Sequence, residues 1–396
     1  MFLIPVWVSF ELRFLSLAEI AVIEAAIAAT QLALELPTGA LADLLGRKTT
    51  VTLGYLLDGI GYLLFTQAHD FWSFMIFSMC FGIGEALISG AKEALTFDTL
   101  KQSHQEHTFP KLMNWLQIRF YWGMALSTLI GGVVYQFNIY LPAILTGLAY
   151  LVAAFWASQL QEPNIDSEKF TLRNYLKQTK EGFGELFKNS RARHISFYYI
   201  LLAVVSWPMV ISLKNISMTA VGLSTFQIGV ILPVLNLLNV YLFRFMLNKK
   251  LFENLSQVFL FLAIVPSITW LALALNFSVV SVVLVVFMLS FISSCRWNVI
   301  GKLSNLCFAS KNRATAISTL SMLIALSYTG IMLVFSWLSQ KSGMPFLWIS
   351  LFMAVLGFVF LLPLALRLRK KLKHKEIDFE LQVAPEIERS LEQQQP

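Results

Sequence analysis

The chain has 396 residues, of which 57% are hydrophobic and 13% charged, with a mean hydropathy of +0.67. No soluble domain of this length needs so much apolar surface, so the composition excludes an ordinary water-soluble enzyme. A net charge of +7 would suit nucleic acid by its sign, but the placement of that charge along the chain argues against such a partner.

Apolar runs of about 18 residues or more read as membrane-spanning helices. In chain order they cover roughly 18–41, 49–68, 72–95, 113–137, 141–160, 195–213, 226–247, 256–275, 279–300, 314–338 and 346–366. Strand alternation is absent and the runs are too long for barrel strands. The segments are therefore helices, which satisfy their own backbone hydrogen bonds in lipid. Ahead of them, Met1–Phe10 is apolar, but ten helical residues rise only about 15 Å against a hydrocarbon core of about 30 Å. It is expected to be the outer half of a first helix whose inner half is missing. The rival is a signal peptide, but the stretch lacks a basic start and a small-residue cleavage site.

Threading the spans sorts the cations. One face receives Arg47, Lys48, Lys101, Lys111, the basic 161–194 segment, Lys249, Lys250, Lys302, Lys311, Arg313 and Arg367–Lys375. The other receives only Arg13, Lys214 and Lys341. The excess marks the cytoplasmic face, which also takes the 369–396 tail. Glu162-Pro163 stops the sixth helix. Beyond it, charges alternate with Phe170, Leu172, Tyr175, Leu176, Phe183, Leu186 and Phe187. That spacing suits an amphipathic helix on the inner membrane surface; a solvated linker is the other reading. Cys80, Cys295 and Cys307 form neither a disulfide framework nor a metal site. The five histidines are scattered, and His104-x-x-His107 lacks the support of a metal site. No Gly-rich phosphate loop with a following lysine is present, so no cofactor or ATP is expected, nor any enzyme chemistry.

Three stretches carry a resemblance. Gly39-Ala40-Leu41-Ala42-Asp43-Leu44-Leu45-Gly46-Arg47-Lys48 sits between two spans. It resembles the G-x-L-x-D-x-x-G-R-K loop joining the second and third helices of the major facilitator superfamily. Ser89–Leu100 looks like the end of the fourth helix in a drug-exporter-like branch, and Asn312–Ser318 like the start of its eleventh. An internal match points the same way: Leu15–Ile23 parallels Leu223–Ile231, each leading into a span from the outside. The resemblance implies an all-α polytopic membrane protein with two pseudo-symmetric six-helix halves. The first helix would be truncated, leaving about eleven full spans. The halves would cover 1–160 and 195–368, joined by the 161–194 linker, with substrate near the midplane between them.

In family terms Gly39, Asp43, Gly46, Arg47, Lys48 and Asp98 form a latch for the outward-facing state. Arg47 would pair with Asp98, and Asp43 would take hydrogen bonds at a helix N-terminus. An ordinary surface turn is the alternative, and Leu44 stands where the family usually has a cation. Ser78 and the lack of a proline before Gly131-Gly132 also depart from the patterns of proton-coupled exporters. Gly123, Gly131 and Gly132 still suit close helix packing.

Ionisable residues within spans are costly and usually face a cavity or a partner. Glu24, Glu35, Asp58, Glu85, Arg119, Arg244 and Arg296 are such residues. Glu24 and Glu35, eleven residues apart, share a helix face, and Glu35 precedes Pro37, where a kink would open the backbone. Glu35 or Glu85 would exchange a proton for cargo; alternatively each is half of a structural pair, Glu85 with Arg119. Trp7, Trp122, Trp156, Trp207, Trp270 and Trp297 suit an apolar cavity or, equally, packing and interfacial belts.

The expected function is alternating-access transport of a small molecule, led by efflux of a hydrophobic or amphipathic compound against protons. The alternatives are metabolite uptake or facilitated diffusion, and a non-transporting or relic membrane protein. The partners expected are substrate, protons and membrane lipids, with no nucleic acid. The protein is expected to act as a monomer in the plasma membrane (the inner membrane of a bacterium), with its C-terminus cytoplasmic.

Overall fold

The computed structural model describes residues 1–163, 172–249, 251–252, 254–308 and 313–373. Within these, the side chains of 35–41, 43–44, 110, 172–179, 302, 305–306, 313–314 and 371–373 lie outside the description. Helices run α1 Trp7–Glu11, α2 Leu17–Leu45, α3 Arg47–Phe65, α4 Phe71–Gln102, α5 Phe109–Phe137, α6 Leu141–Ser158 and α7 Leu172–Phe187. They continue as α8 Ser190–Pro208, α9 Lys214–Ala220, α10 Thr225–Asn248, α11 Leu255–Leu275, α12 Val279–Cys295, α13 Gly301–Leu306, α14 Arg313–Lys341, α15 Pro345–Leu356 and α16 Leu362–Lys373. Among the described residues there is no strand. Among the described residues, the π segments Met209–Leu213, Arg296–Ile300 and Gly357–Leu361 carry α8 into α9, α12 into α13 and α15 into α16.

Each expected span overlaps a helix, or a helix continued through a π segment, with ends that differ by up to seven residues. Nine helices among the described residues are long and apolar enough to cross a membrane. The other two, α3 and α5, have the length but are more polar: α3 carries Arg47, Lys48 and Asp58, and α5 carries Lys111, Gln117 and Arg119. Two local expectations change. The Gly39–Lys48 signature is not an extended loop, because α2 runs through Pro37 to Leu45 and only Gly46 breaks it before α3 begins. Well-formed turns on both sides carry the helix past the one N–H that proline lacks. Met1–Phe10 is only partly a regular helix. Turns over 2–6 lead into the five-residue α1, pinned where the Met1 amine and Leu3 N–H donate to Thr146 Oγ1, each at 3.2 Å.

The chain divides into two compact units, residues 1–176 with 224–233, and 177–223 with the residues from 234 on. In the first, α3 lies against α4 and α6, and α2 against α4. Gly59 and Gly147 let α3 and α6 approach backbone to backbone, so that a Cβ on either would come within 3.1 Å of the other's carbonyl oxygen. At the opposite end from Gly46, the rings of Phe10, Phe65 and Phe74 meet with centroids 5.1–6.0 Å apart. Asp70 caps α4, accepting from Ser73 N at 3.1 Å and Trp72 N at 3.0 Å, and these bonds hold its carboxyl below the usual range.

In the second unit α11 packs on α12, α15 and α16, while α8 packs on α12 and α14. Two buried rings tie α8 to α11: Tyr198 Oη donates to the Phe259 carbonyl at 2.7 Å, and Trp270 Nε1 to the Val205 carbonyl at 2.8 Å. The later turns of α7 dock here. Leu186 is buried in the core, and Gly182 lies on Thr315 and Thr319 of α14.

The internal repeat has a local meaning. Ser16 and Glu19 form a reciprocal capping box at the start of α2. Ser224 N donates to Gln227 Oε1 at 2.8 Å, and Gln227 N to Ser224 Oγ at 3.2 Å, the same box at the start of α10. Both place Ser, then Glu or Gln three residues on, ahead of an apolar run.

Candidate functional site

The one-residue junction at Gly46 sets up the first group of site residues. Its φ of +90° is open to glycine and strained for other residues. The turn exposes the N–H groups at the start of α3. Arg47 N and Lys48 N donate to the two carboxylate oxygens of Glu162 at 2.6 and 2.7 Å. This is a charge-assisted cap on the positive end of a helix. The Arg47 side chain turns the other way. It forms an ion pair with Asp98 of α4 and donates from Nη1 to the Ala94 carbonyl at 3.1 Å. Asp98 is 8% exposed. The α2–α3 junction is thus tied to α4 by a side chain and to the end of α6 by backbone donors. Glu162 accepts helix-terminus bonds of the kind expected of Asp43; the side chains of Gly39's neighbours, of Asp43 itself and of Glu35 lie outside the described residues.

The second group lies midway along α3 and α4. Asp58 is 1% exposed, and neither carboxylate oxygen has a hydrogen-bond partner among the described residues. It reaches this place because position 84 is glycine: a Cβ there would collide with Asp58 Oδ1. Glu85, next in sequence, has an exposed side chain and lies within electrostatic reach of Asp58. Tyr55, Tyr62, Tyr150 and Cys80 lie within electrostatic reach of Asp58. Tyr62 stacks on Phe81 at 4.2 Å and on Tyr150 at 5.5 Å. The structure therefore brings two of the sequence candidates together, one buried and one exposed at the surface of α4, beside three phenols.

The alternative pairing of Glu85 with Arg119 is not formed. The Arg119 guanidinium lies 3.5 Å from the centroid of the Trp115 ring on an exposed face of α5, and the cation within electrostatic reach of Glu85 is Lys92. Glu24 is half-buried and lies within reach of Glu11. Gly131 and Gly132 do make close approaches, Gly131 to the Phe2 carbonyl and Gly132 to Gly229, where an added Cβ would lie 3.2 Å from Cα. Gly123 meets nothing within 4 Å among the described residues. In the second unit Arg296 opens a π segment, is 4% exposed and lies 4.7 Å from the centroid of Tyr199, with Nε and Nη1 unpartnered.

Two residues escaped the sequence reading. Glu162 counted only as the end of a helix; the signal was an acid facing a run of two cations across the same membrane boundary. Glu11 fell between two apolar runs, yet it is 3% exposed with Oε2 unpartnered. Extending the first run by one residue would have found it. Among the described residues no group of three or more His, Cys, Asp or Glu could hold a metal ion.

A family model described as Major Facilitator Superfamily matches residues 1–295. Among solved structures, the nucleoside transporter NupG superposes with a TM-score of 0.68 at 14% identity, covering 91% of this chain and 92% of that one. A bacterial homolog of the human lysosomal transporter Spinster, inward-facing and unoccupied, gives 0.67 at 16%, covering 92% and 91%. No curated protein matches the sequence. At these identities the structural likeness is one of fold.

Proposed function

We infer the function from one premise: the chain belongs to the major facilitator superfamily. It is a multi-pass membrane transporter of a small molecule. Beyond that, we propose that it exports a hydrophobic or amphipathic compound by alternating access, in exchange for protons. It would do so in the plasma membrane as a monomer, with its C-terminus cytoplasmic.

The observation that carries the proton coupling is Asp58. Burial without a hydrogen-bond partner penalises a fixed charge. A carboxylate that is dry in one state of a transport cycle and wetted in another exchanges a proton between them. Glu85, exposed beside it, supplies the path to water. The Arg47–Asp98 pair and the Glu162 cap serve as the latch. They hold the α2–α3 junction, with Gly39, Asp43, Gly46 and Lys48, and part as the cycle turns. Outward direction rests on the resemblance of Ser89–Leu100 and Asn312–Ser318 to the exporter branch. A second reading, uptake of a polar metabolite, is favoured by Asn239, which is 6% exposed with an unpartnered Oδ1.

Proton movement in inverted vesicles, challenged with lipophilic cations and neutral drugs, tests the proposal. Substrate-triggered flux should fall at least about tenfold in Asp58→Asn or Glu85→Gln, at unchanged protein level. Silence of the wild type across the panel would move the weight to metabolite uptake. Undiminished flux in Asp58→Asn would remove this residue from the coupling.

A further inference from the structure

On the outer face of the second unit, α8 and α16 leave a groove of about 350 Å³ between them. Its lining changes character along its length. By their places along α8 and α16, Arg193, His194 and Arg367 fall toward one end; Phe197, Leu201, Phe360 and Leu364 are among the apolar side chains that line the rest. The two helices are antiparallel in sequence yet charged at the same level. Arg193 lies eight residues from Leu201, and Arg367 eight from Val359, or about 12 Å of rise in each case. Pro363 and the π segment Gly357–Leu361 fall on the groove wall, so the helix departs from a regular cylinder there. Among the described residues no carboxylate lines the groove or pairs with Arg193 or Arg367.

We propose that this groove is a binding site for one anionic phospholipid. Arg193 and Arg367 hold the phosphate, and Phe197, Leu201 and Phe360 hold the first stretch of an acyl chain. Charge complementarity commits the site to this occupant. Guanidinium groups match phosphate oxygens in planar, two-point contacts, and two of them from different helices converge on one headgroup. The polar-to-apolar order of the lining matches a lipid from headgroup to tail, and basic pockets between membrane helices are suited to anionic headgroups. Such a lipid would bridge α8 and α16 of the second unit.

The full-length protein in nanodiscs tests this. One disc preparation is pure phosphatidylcholine; the other adds a minor fraction of phosphatidylglycerol. Native mass spectrometry counts retained lipids, and thermal unfolding reports their effect. The wild type should retain one phosphatidylglycerol and melt at higher temperature with it. Arg193→Gln/Arg367→Gln should bind it about thirtyfold more weakly. Arg369→Gln/Lys370→Gln removes the same charge from α16 positions outside the groove and should leave binding unchanged. Equal losses in both double variants would show only a charged surface and overturn the site. Equal retention of phosphatidylcholine would overturn the role of the arginines. Matching elution profiles in detergent would separate either result from misfolding.

Discussion

At Gly46 the backbone takes a left-handed turn in one residue, and its consequences are local and chemical. The N–H groups of Arg47 and Lys48 are left without helical acceptors, and Glu162 supplies two. Removing such a cap costs about 0.5–2 kcal/mol. Glu162→Ala should therefore lower the stability of the purified protein by that amount in a denaturant or thermal titration. Glu162→Gln, which keeps the acceptors without the charge, should lose less; no change in either would mean the cap carries no stability. The Glu162 carboxyl carbon also lies 3.1 Å from where a Cβ on Gly46 would stand. A side chain there would thus meet both strain and the cap. Arg47, Lys48 and Asp98 were legible in the sequence because a specific pattern puts them at one membrane face. Glu162 was not, because 114 residues separate it from Lys48 and no local pattern marks such a distant partner.

Elements were legible where their ends are written in side chains. Ser16-x-x-Glu19 and Ser224-x-x-Gln227 both spell a capping box ahead of an apolar run, which is why the internal match fell where it did. Glycine patterns were less decisive, because spacing does not say what faces them. Position 132 faces another backbone, with an added Cβ 2.8 Å from the Thr225 carbonyl, whereas position 123 faces open space. Gly132→Ala should accordingly destabilise by about 1–3 kcal/mol through overpacking. Gly123→Ala should be neutral or gain up to about 1 kcal/mol from helix propensity. Thermal unfolding of the two variants side by side checks the difference, and equal effects would deny the close α5–α10 contact. The π segments left no trace in hydropathy. They conserve composition while adding one residue to a turn, and only backbone geometry reveals them.

For the molecule as a whole, the cation distribution predicts an orientation before any fold is known. In a variant with Cys80, Cys295 and Cys307 replaced by serine, Lys341→Cys should react with a membrane-impermeant maleimide in intact cells. Lys370→Cys should react only after permeabilisation; the reverse would invert the topology. By itself the sequence determined that the chain is helical and membrane-spanning, where its helices lie and which superfamily it resembles. Those properties follow from local hydrophobicity, capping and one specific motif. Tertiary structure alone decided which in-span charges are dry. Asp58 and Glu85 are both acids in apolar runs, yet Gly84 lets α3 and α4 close over the first and leave the second open. It also decided that Arg119 stacks on Trp115 rather than meeting Glu85, and that Arg193 and Arg367 share one groove. Burial and partnership depend on how helices distant in the chain pack together, and hydrophobic periodicity along one helix carries no record of its neighbours.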